Sequence, residues 1–349
     1  MHSTTVAVDL AKNVFELAVA DPEWRVGERL RLNRQRFSSF IVHRPPCRFV
    51  MEACGSAHYW ARRISACGHD VRLLPAQYVR AYVKRNKTDR ADAAALLEAL
   101  RCADIRPVPV KTLEQQQVLA LHRLRSQWMS TRHRYLNTLR GILREFGVPV
   151  ALGVTAAKAQ IPQALAEPRS ELPAGLRPVL LQTFDEIRTI EHNIELIERE
   201  LTTLSRTDER VQQMRQIPGI GLLTSTAIRA TVGDIQRFPS GRHFASWLGL
   251  TASEYSSAEH RRLGAISKRG DVYLRTLLVH GARSVLLAAR RAHRSGRPLD
   301  RLRQWALQCE QHRGHNKATV ALANRLARIL WATWKHERAF DGNWSRAAA

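Results

Sequence analysis

Acidic side chains are scarce in this sequence: 31 Asp and Glu stand against 55 Lys and Arg in 349 residues, a net charge of +24 with an isoelectric point near 11.1. That imbalance exceeds what solubility requires and argues against a polycationic partner. Cysteines are few: Cys47, Cys54, Cys67, Cys102 and Cys309, with no close pair among them. The spacing excludes a zinc ribbon, a redox pair and a disulfide framework, and predicts reduced, mostly buried thiols in a cytoplasmic protein. Uninterrupted apolar runs are lacking too. The most apolar helical stretch, Val272 to Ala289, is broken by Arg275, His280 and Arg283, so no segment is expected to span a bilayer. No signal-peptide pattern precedes Asp9 and Glu16 and no lipidation signal is present, which predicts a soluble chain without a membrane partner. Repeats and low-complexity tracts are missing. With 44% hydrophobic and 25% charged residues, a disordered tail protein is excluded.

What is present is positive charge, unevenly spread. The net charge is +7 over residues 1–107, +3 over 108–206 and +14 over 207–349. Arg dominates the last segment, and its planar fork suits phosphate oxygens better than an ammonium does. Nucleic acid is therefore the expected partner, ahead of an anionic membrane surface. The length predicts two or three domains at roughly 150 residues each.

Apolar and polar residues alternate through Val6, Val8 and Leu10 and again through Val14, Phe15, Leu17 and Val19, predicting two strands joined by a turn. A third strand follows near Arg29 to Leu32, then a helix near Gln35 to Val42, a buried strand over Cys47 to Ala53, a helix over His58 to Cys67, a strand over Asp70 to Leu74 and a helix over Asp89 to Arg101. Strands first, then strand and helix in alternation, predict an α/β domain with a mixed sheet and helices on its faces. Two long helices are expected at Leu113 to Phe146 and Val179 to Leu204, with a Pro-spotted connection over 149–178. The first is rich in Arg and the second in Glu, which favours an antiparallel, coiled-coil-like hairpin that also suits the pairing of protomers, the alternative being solvated faces of an ordinary bundle. Residues 207–349 read as mainly helical, with a polar, basic loop between Leu250 and Gly270.

Three constellations carry the chemistry. Asp9 and Glu52 each end an apolar strand, so adjacent strands would bring two carboxylates to one sheet edge, where open sheets place their ligand crevices. Lys87 precedes a helix on which Asp89 and Asp92 stand three apart, with Cβ atoms about 5–6 Å from one another; the alternative is that Thr88 caps this helix and the two acids only complement its dipole. Four converging carboxylates suit Mg²⁺, with Mn²⁺ as a substitute, and a two-metal site supports in-line phosphoryl displacement. The second constellation is Gln216-Ile217-Pro218-Gly219-Ile220-Gly221 before a helical run. Gly219 and Gly221 would let a helix N-terminus approach a phosphate, as in a helix-hairpin-helix motif, or would simply make a tight turn. The third is the loop holding Tyr255, Ser256, Ser257 and Ala258, followed by Arg261, Arg262, Lys268 and Arg269. Those cations could clamp a scissile phosphate beside a nucleophilic serine, or the serines could be ordinary loop residues.

VDLAK around Asp9, MEACGS around Glu52, NKTDRADA around Asp89 and Asp92, IPGIG at 217–221, FPSGRHFASWLGL at 238–250, YSS at 255–257 and ISKRGDVYLRTLLVHGAR at 266–283 together resemble the insertion-sequence one-ten family of transposases. These are DEDD recombinases guided by a bridge RNA. The resemblance runs nearly end to end. It implies a RuvC-like, ribonuclease-H-type domain over 1–107 with Asp9, Glu52, Asp89 and Asp92 as its acids. It also implies a helical assembly linker over 108–206 and a C-terminal transposase domain over 207–349 with a nucleophilic serine. That serine maps to Ser257, which would form a covalent phosphoserine with DNA in a site completed by the acids, within or across protomers. Family members carry Gly after the serine, whereas Ala258 and Glu259 follow here, which leaves Ser256 as the alternative.

The implied partners are donor and target double-stranded DNA, a structured noncoding guide RNA and further copies of the chain as a dimer or tetramer, in a cytoplasmic, nucleoid-associated setting. Two other readings compete: a RuvC-like endonuclease that resolves Holliday-type junctions by metal-dependent hydrolysis, and a non-catalytic RNA- and DNA-binding scaffold.

Overall fold

A computed structural model describes residues 4–82, 89–168, 170–257 and 260–343. The chain forms two compact units, Met1–Leu113 and Glu114–Ala349.

In the first unit, β1 (Thr5–Leu10), β2 (Val14–Ala20) and β3 (Val26–Asn33) make an antiparallel meander, and α1 (Arg34–His43) follows, capped by the Asn33 side chain, which accepts from the Arg36 N–H at 2.8 Å. Then come β4 (Arg48–Glu52), α2 (Ala57–Ala66), β5 (Asp70–Leu74), α3 (Ala76–Val79) and α4 (Asp89–Arg101). The sheet order is β3-β2-β1-β4-β5, with β4 parallel to both β1 and β5. The mixed sheet with helices on both faces follows from alternation along each strand. Val6 and Val8 of β1 join Phe15, Phe49, Met51 and Trp60 on one face. Ala7, Ala18, Ala20 and Val50 line the other, where α4 lays down Ala93, Leu96 and Leu97. The small alanines on that face let the helix approach the sheet closely.

The second unit begins with α5 (Leu113–Glu145), α6 (Val154–Ala166) and α7 (Arg177–Arg206). Arg125 meets Glu198 at 2.7 Å and Arg132 meets Glu191 at 3.3 Å, so the residue numbers rise along α5 as they fall along α7. The expected antiparallel pair of oppositely charged helices is formed. The connection over 149–178, by contrast, contains the helix α6. Pro162 lies inside it, yet Ala157, Ile161 and Leu165 recur on one buried face and pack with Leu139 and Phe184. That burial overrides the lost backbone hydrogen bond.

Beyond these lie α8 (Glu209–Arg215), α9 (Leu222–Val232), α10 (Gly241–Trp247), β6 (Ala252–Glu254), β7 (Leu263–Ile266), α11 (Val272–Arg294), α12 (Arg301–Arg313) and α13 (His315–Lys335). The Leu250 to Gly270 stretch is therefore a β-hairpin and not a featureless loop. Its strands are too short for their alternation to stand out in the sequence. Among the described residues α11 is the one helix long and apolar enough to cross a membrane by length and composition. It is a core helix here: Leu274, Leu278, Ala282, Val285, Leu286 and Ala289 are all buried. All five cysteines are free, but only Cys47 is buried, and Cys67 is exposed. The expectation of mostly buried thiols is corrected: Cys54, Cys67 and Cys102 sit in or next to the connections that follow β4, α2 and α4, and Cys309, within α12, is only partly covered by the core.

Candidate active site

In the first unit β1 and β4 pair in parallel as far as Val8 with Met51, and Asp9 and Glu52 are the next residue on each of these neighbouring strands. Ala7 and Val50 face α4, and the period of two puts Asp9 and Glu52 on that same face. Both are half-buried. Burial, and after it the charges of Glu52 and Asp9, push the Cys54 thiol above its ordinary range, so both carboxylates act on one point. Asp92 is half-buried in the first turns of α4, the helix that covers this face. Asp89 opens α4, but its side chain lies outside the described residues, as does the whole of Lys87. Among the described residues no three His, Cys, Asp or Glu side chains gather closely enough to hold an ion. The two half-buried carboxylates are hard oxygen donors, the kind of ligand that a divalent cation takes.

In the second unit the IPGIG turn joins α8 to α9. Ile217 and Ile220 are buried in its core, and Gly219 has φ +81°. A Cβ on Gly219 would lie 2.7 Å from the Gly281 carbonyl oxygen, and one on Gly281 would lie 2.0 Å from that of Gly219. The turn is thus pressed against α11, which accounts for glycine at 219 without any ligand. Gly221 differs: a Cβ there would meet nothing within 4 Å. It precedes the uncapped N-terminus of α9, where Ser225 N–H is the first to find a helical partner, the Gly221 carbonyl at 3.0 Å. Beside it opens a shallow depression lined in part by Glu198, Leu223 and His280.

The serines lie on the hairpin of β6 and β7. Its foot is clamped by two backbone crossings that only glycine allows: a Cβ on Gly249 (φ +71°) would sit 1.9 Å from the Arg269 carbonyl oxygen, and one on Gly270 (φ +91°) 2.0 Å from that of Trp247. Arg275 on α11 donates to the Leu248 carbonyl at 3.1 Å, and Asn324 on α13 donates to that of Leu250 at 3.0 Å. At the other end Ser257 and His260 exchange backbone hydrogen bonds, Ser257 N–H to His260 O at 3.3 Å and His260 N–H to Ser257 O at 3.0 Å. Ser257 is exposed at the tip; Ala258 and Glu259 lie outside the described residues. Ser256 is committed: its hydroxyl donates to Glu254 Oε1 at 2.8 Å and accepts from the Arg262 N–H at 3.1 Å. Arg261 pairs with the same Glu254 oxygen at 3.3 Å, while Arg262, Lys268 and Arg269 are also exposed around the hairpin.

Sequence reasoning missed Glu254, Arg275 and Asn324. The signal for the clamped foot was there, in the glycines of WLGL and SKRGD. Their partners belong to distant helices that no local pattern links to them.

The whole chain has relatives. A DEDD transposase model of the IS110 group matches residues 6–148, and a model described as "Transposase IS116/IS110/IS902 family" matches residues 211–296. The sequence is 41% identical to a probable family 20 transposase of Pseudomonas aeruginosa, over 97% of this chain and 99% of the relative. It is 37% identical to the transposase for insertion sequence element IS1111A of Coxiella burnetii, over 94% and 88% of the two chains, and 36% identical to that for IS1328 of Yersinia enterocolitica, over 94% and 96%.

Proposed function

The chain belongs to the IS110 family of transposases, a DNA-processing enzyme of an insertion sequence, and on that premise we propose that it exchanges DNA strands through a covalent bond to Ser257. Its hydroxyl oxygen bonds to a backbone phosphorus as the bond from that phosphorus to one sugar oxygen breaks, and the released strand end carries the hydroxyl proton away. One phosphate ester replaces another, so a new strand end can reverse the step without an outside energy source. The observation that carries this reading is the state of the two serines: both are exposed, but the Ser256 hydroxyl already donates to Glu254 and accepts from the Arg262 N–H within the hairpin. Arg262, Lys268 and Arg269, all exposed nearby, supply charge for the phosphate.

Asp9, Glu52, Asp89 and Asp92 would hold Mg²⁺ or Mn²⁺, which when bound polarises phosphate oxygens and offsets developing charge. The order β3-β2-β1-β4-β5, three strands antiparallel and two added in parallel, supports a RuvC-like, ribonuclease-H-type assignment for the first unit. The helices over 108–206 are read as the assembly region of a homo-oligomer, and the charge of +24 supports a guide RNA beside the DNA. Gly221 at the open N-terminus of α9 is the better placed of the two glycines to meet a phosphate.

The test is to incubate protein, its copurifying RNA and element-end DNA, then look for protein covalently bound to DNA after denaturation. Wild type gives the adduct; Ser257→Ala gives none while still binding DNA. An adduct that persists in Ser257→Ala removes the serine from the mechanism. Cleavage without any adduct in wild type favours hydrolysis.

A further inference from the structure

A hairpin with strands of three and four residues is marginal unless other groups hold it. Its foot is fixed by the glycine crossings, by Arg275 and by Asn324. Between foot and tip the two strands are joined by the Ser253 hydroxyl to the Ala265 carbonyl at 3.0 Å and by Tyr255 N–H to the Arg262 carbonyl at 2.9 Å, among other bonds. The side chain of Ser256 bridges the same gap. Its hydroxyl proton goes to Glu254 on one strand, and its oxygen receives the Arg262 N–H from the other. Arg261 on the returning strand also pairs with Glu254. The Tyr255 ring lies across the hairpin against Gly264, where a Cβ would come within 3.0 Å of its edge.

A hydroxyl bonded to a carboxylate can be a nucleophile with its base. Here the oxygen that would attack is itself accepting a backbone N–H, and a carboxylate at the same point would repel the phosphate. Both facts favour a structural use. We propose that Glu254 and Ser256 are positioning residues: a side-chain brace, Glu254 to Ser256 to the Arg262 backbone, that fixes the pitch of the hairpin tip and so aims the Ser257 hydroxyl at phosphorus. This rests on the reading that Ser257 is the nucleophile. It assigns the first serine of the YSS motif to geometry and the second to bond formation.

The brace predicts a split between binding and the covalent step. In single-turnover assays with the full chain, its RNA and element-end DNA, Ser256→Ala slows adduct formation by about tenfold to a hundredfold, the range a misplaced reacting group costs. DNA affinity stays within about threefold. Ser256→Thr, which keeps the hydroxyl, restores the rate to within about threefold of wild type. Glu254→Gln, whose amide oxygen still accepts, stays close to wild type, whereas Glu254→Ala matches Ser256→Ala. Hydrogen exchange of the free protein provides a readout independent of chemistry: the Arg262 amide exchanges faster in Ser256→Ala and is protected again in Ser256→Thr. A wild-type adduct rate in Ser256→Ala, a threonine variant no better than alanine, or Arg262 protection unchanged by Ser256→Ala overturns the brace. Mass spectrometry of the wild-type adduct separates the two ideas. DNA attached to Ser256 defeats the assignment of Ser257 as nucleophile, whatever the exchange experiment gives. Attachment to Ser257 with an indifferent Ser256→Ala defeats the brace alone.

Discussion

His122 is a residue whose environment sets its chemistry. It is 2% exposed, with Tyr273 Oη at 2.9 Å from Nδ1 and Thr226 Oγ1 at 2.9 Å from Nε2, and burial, with Arg125 adding to it, lowers its pKa to about 4. Unfolded, it would titrate near 6.5. Between those values the unfolded state binds the proton first, so the contribution of neutral His122 to stability is complete above pH about 6.5. It is lost as pH falls toward 4, with about 3 kcal/mol at stake. Urea unfolding of wild type and His122→Gln should therefore converge as pH drops from 7 to 4.5; parallel curves would show that His122 is not buried neutral. The paired carboxylates make a second residue-scale prediction. Asp9→Asn or Glu52→Gln should lower strand cleavage by at least about a hundredfold with DNA binding retained, and EDTA should do the same to wild type. Full cleavage in EDTA would remove the metal from the account. That Asp9 and Glu52 end strands was legible in the sequence. Their following the last paired residues of adjacent parallel strands was not, since it depends on which strands neighbour each other and in what register.

Among the elements, the crossing of the IPGIG turn over α11 depends on two glycines that meet backbone to backbone. Alanine at 219 or 281 must push that carbonyl contact apart, and each substitution should cost about 2 kcal/mol or more in chemical denaturation. Gly221→Ala has open space and a φ of −87°, so its stability should stay within about 0.5 kcal/mol of wild type. Weaker DNA binding in Gly221→Ala at unchanged stability would tie the α9 terminus to phosphate; unchanged binding would leave IPGIG as a packing turn. The long helices were legible from their 3.6-residue period and their opposite charge. Two elements were not. Pro162 masked α6 although its buried face is regular, and β6 and β7 are shorter than any window in which alternation can be recognised. In each case contacts distant in sequence stabilise what local propensity leaves undecided.

At the scale of the whole molecule the dominant quantity is charge. A net +24, with +14 in residues 207–349, predicts that DNA affinity falls by at least about tenfold between 50 and 200 mM salt, as counterion release requires. Titrations at several salt concentrations give the slope directly, and a flat response would contradict phosphate binding by the basic C-terminal segment. Taken alone, the sequence determined the excess of positive charge, the order of strands and long helices, and the motifs by which the family is known. These follow from composition and from patterns repeating over a few residues. Folding alone decided that Asp9 and Glu52 follow the last paired residues of adjacent parallel strands, that Gly219 is used against Gly281, and that the Ser256 hydroxyl bonds to Glu254 and the Arg262 N–H. Each of these is a contact of a few ångströms between segments separated along the chain. Such contacts are fixed by strand register, helix packing and backbone crossings, and local preference does not encode them.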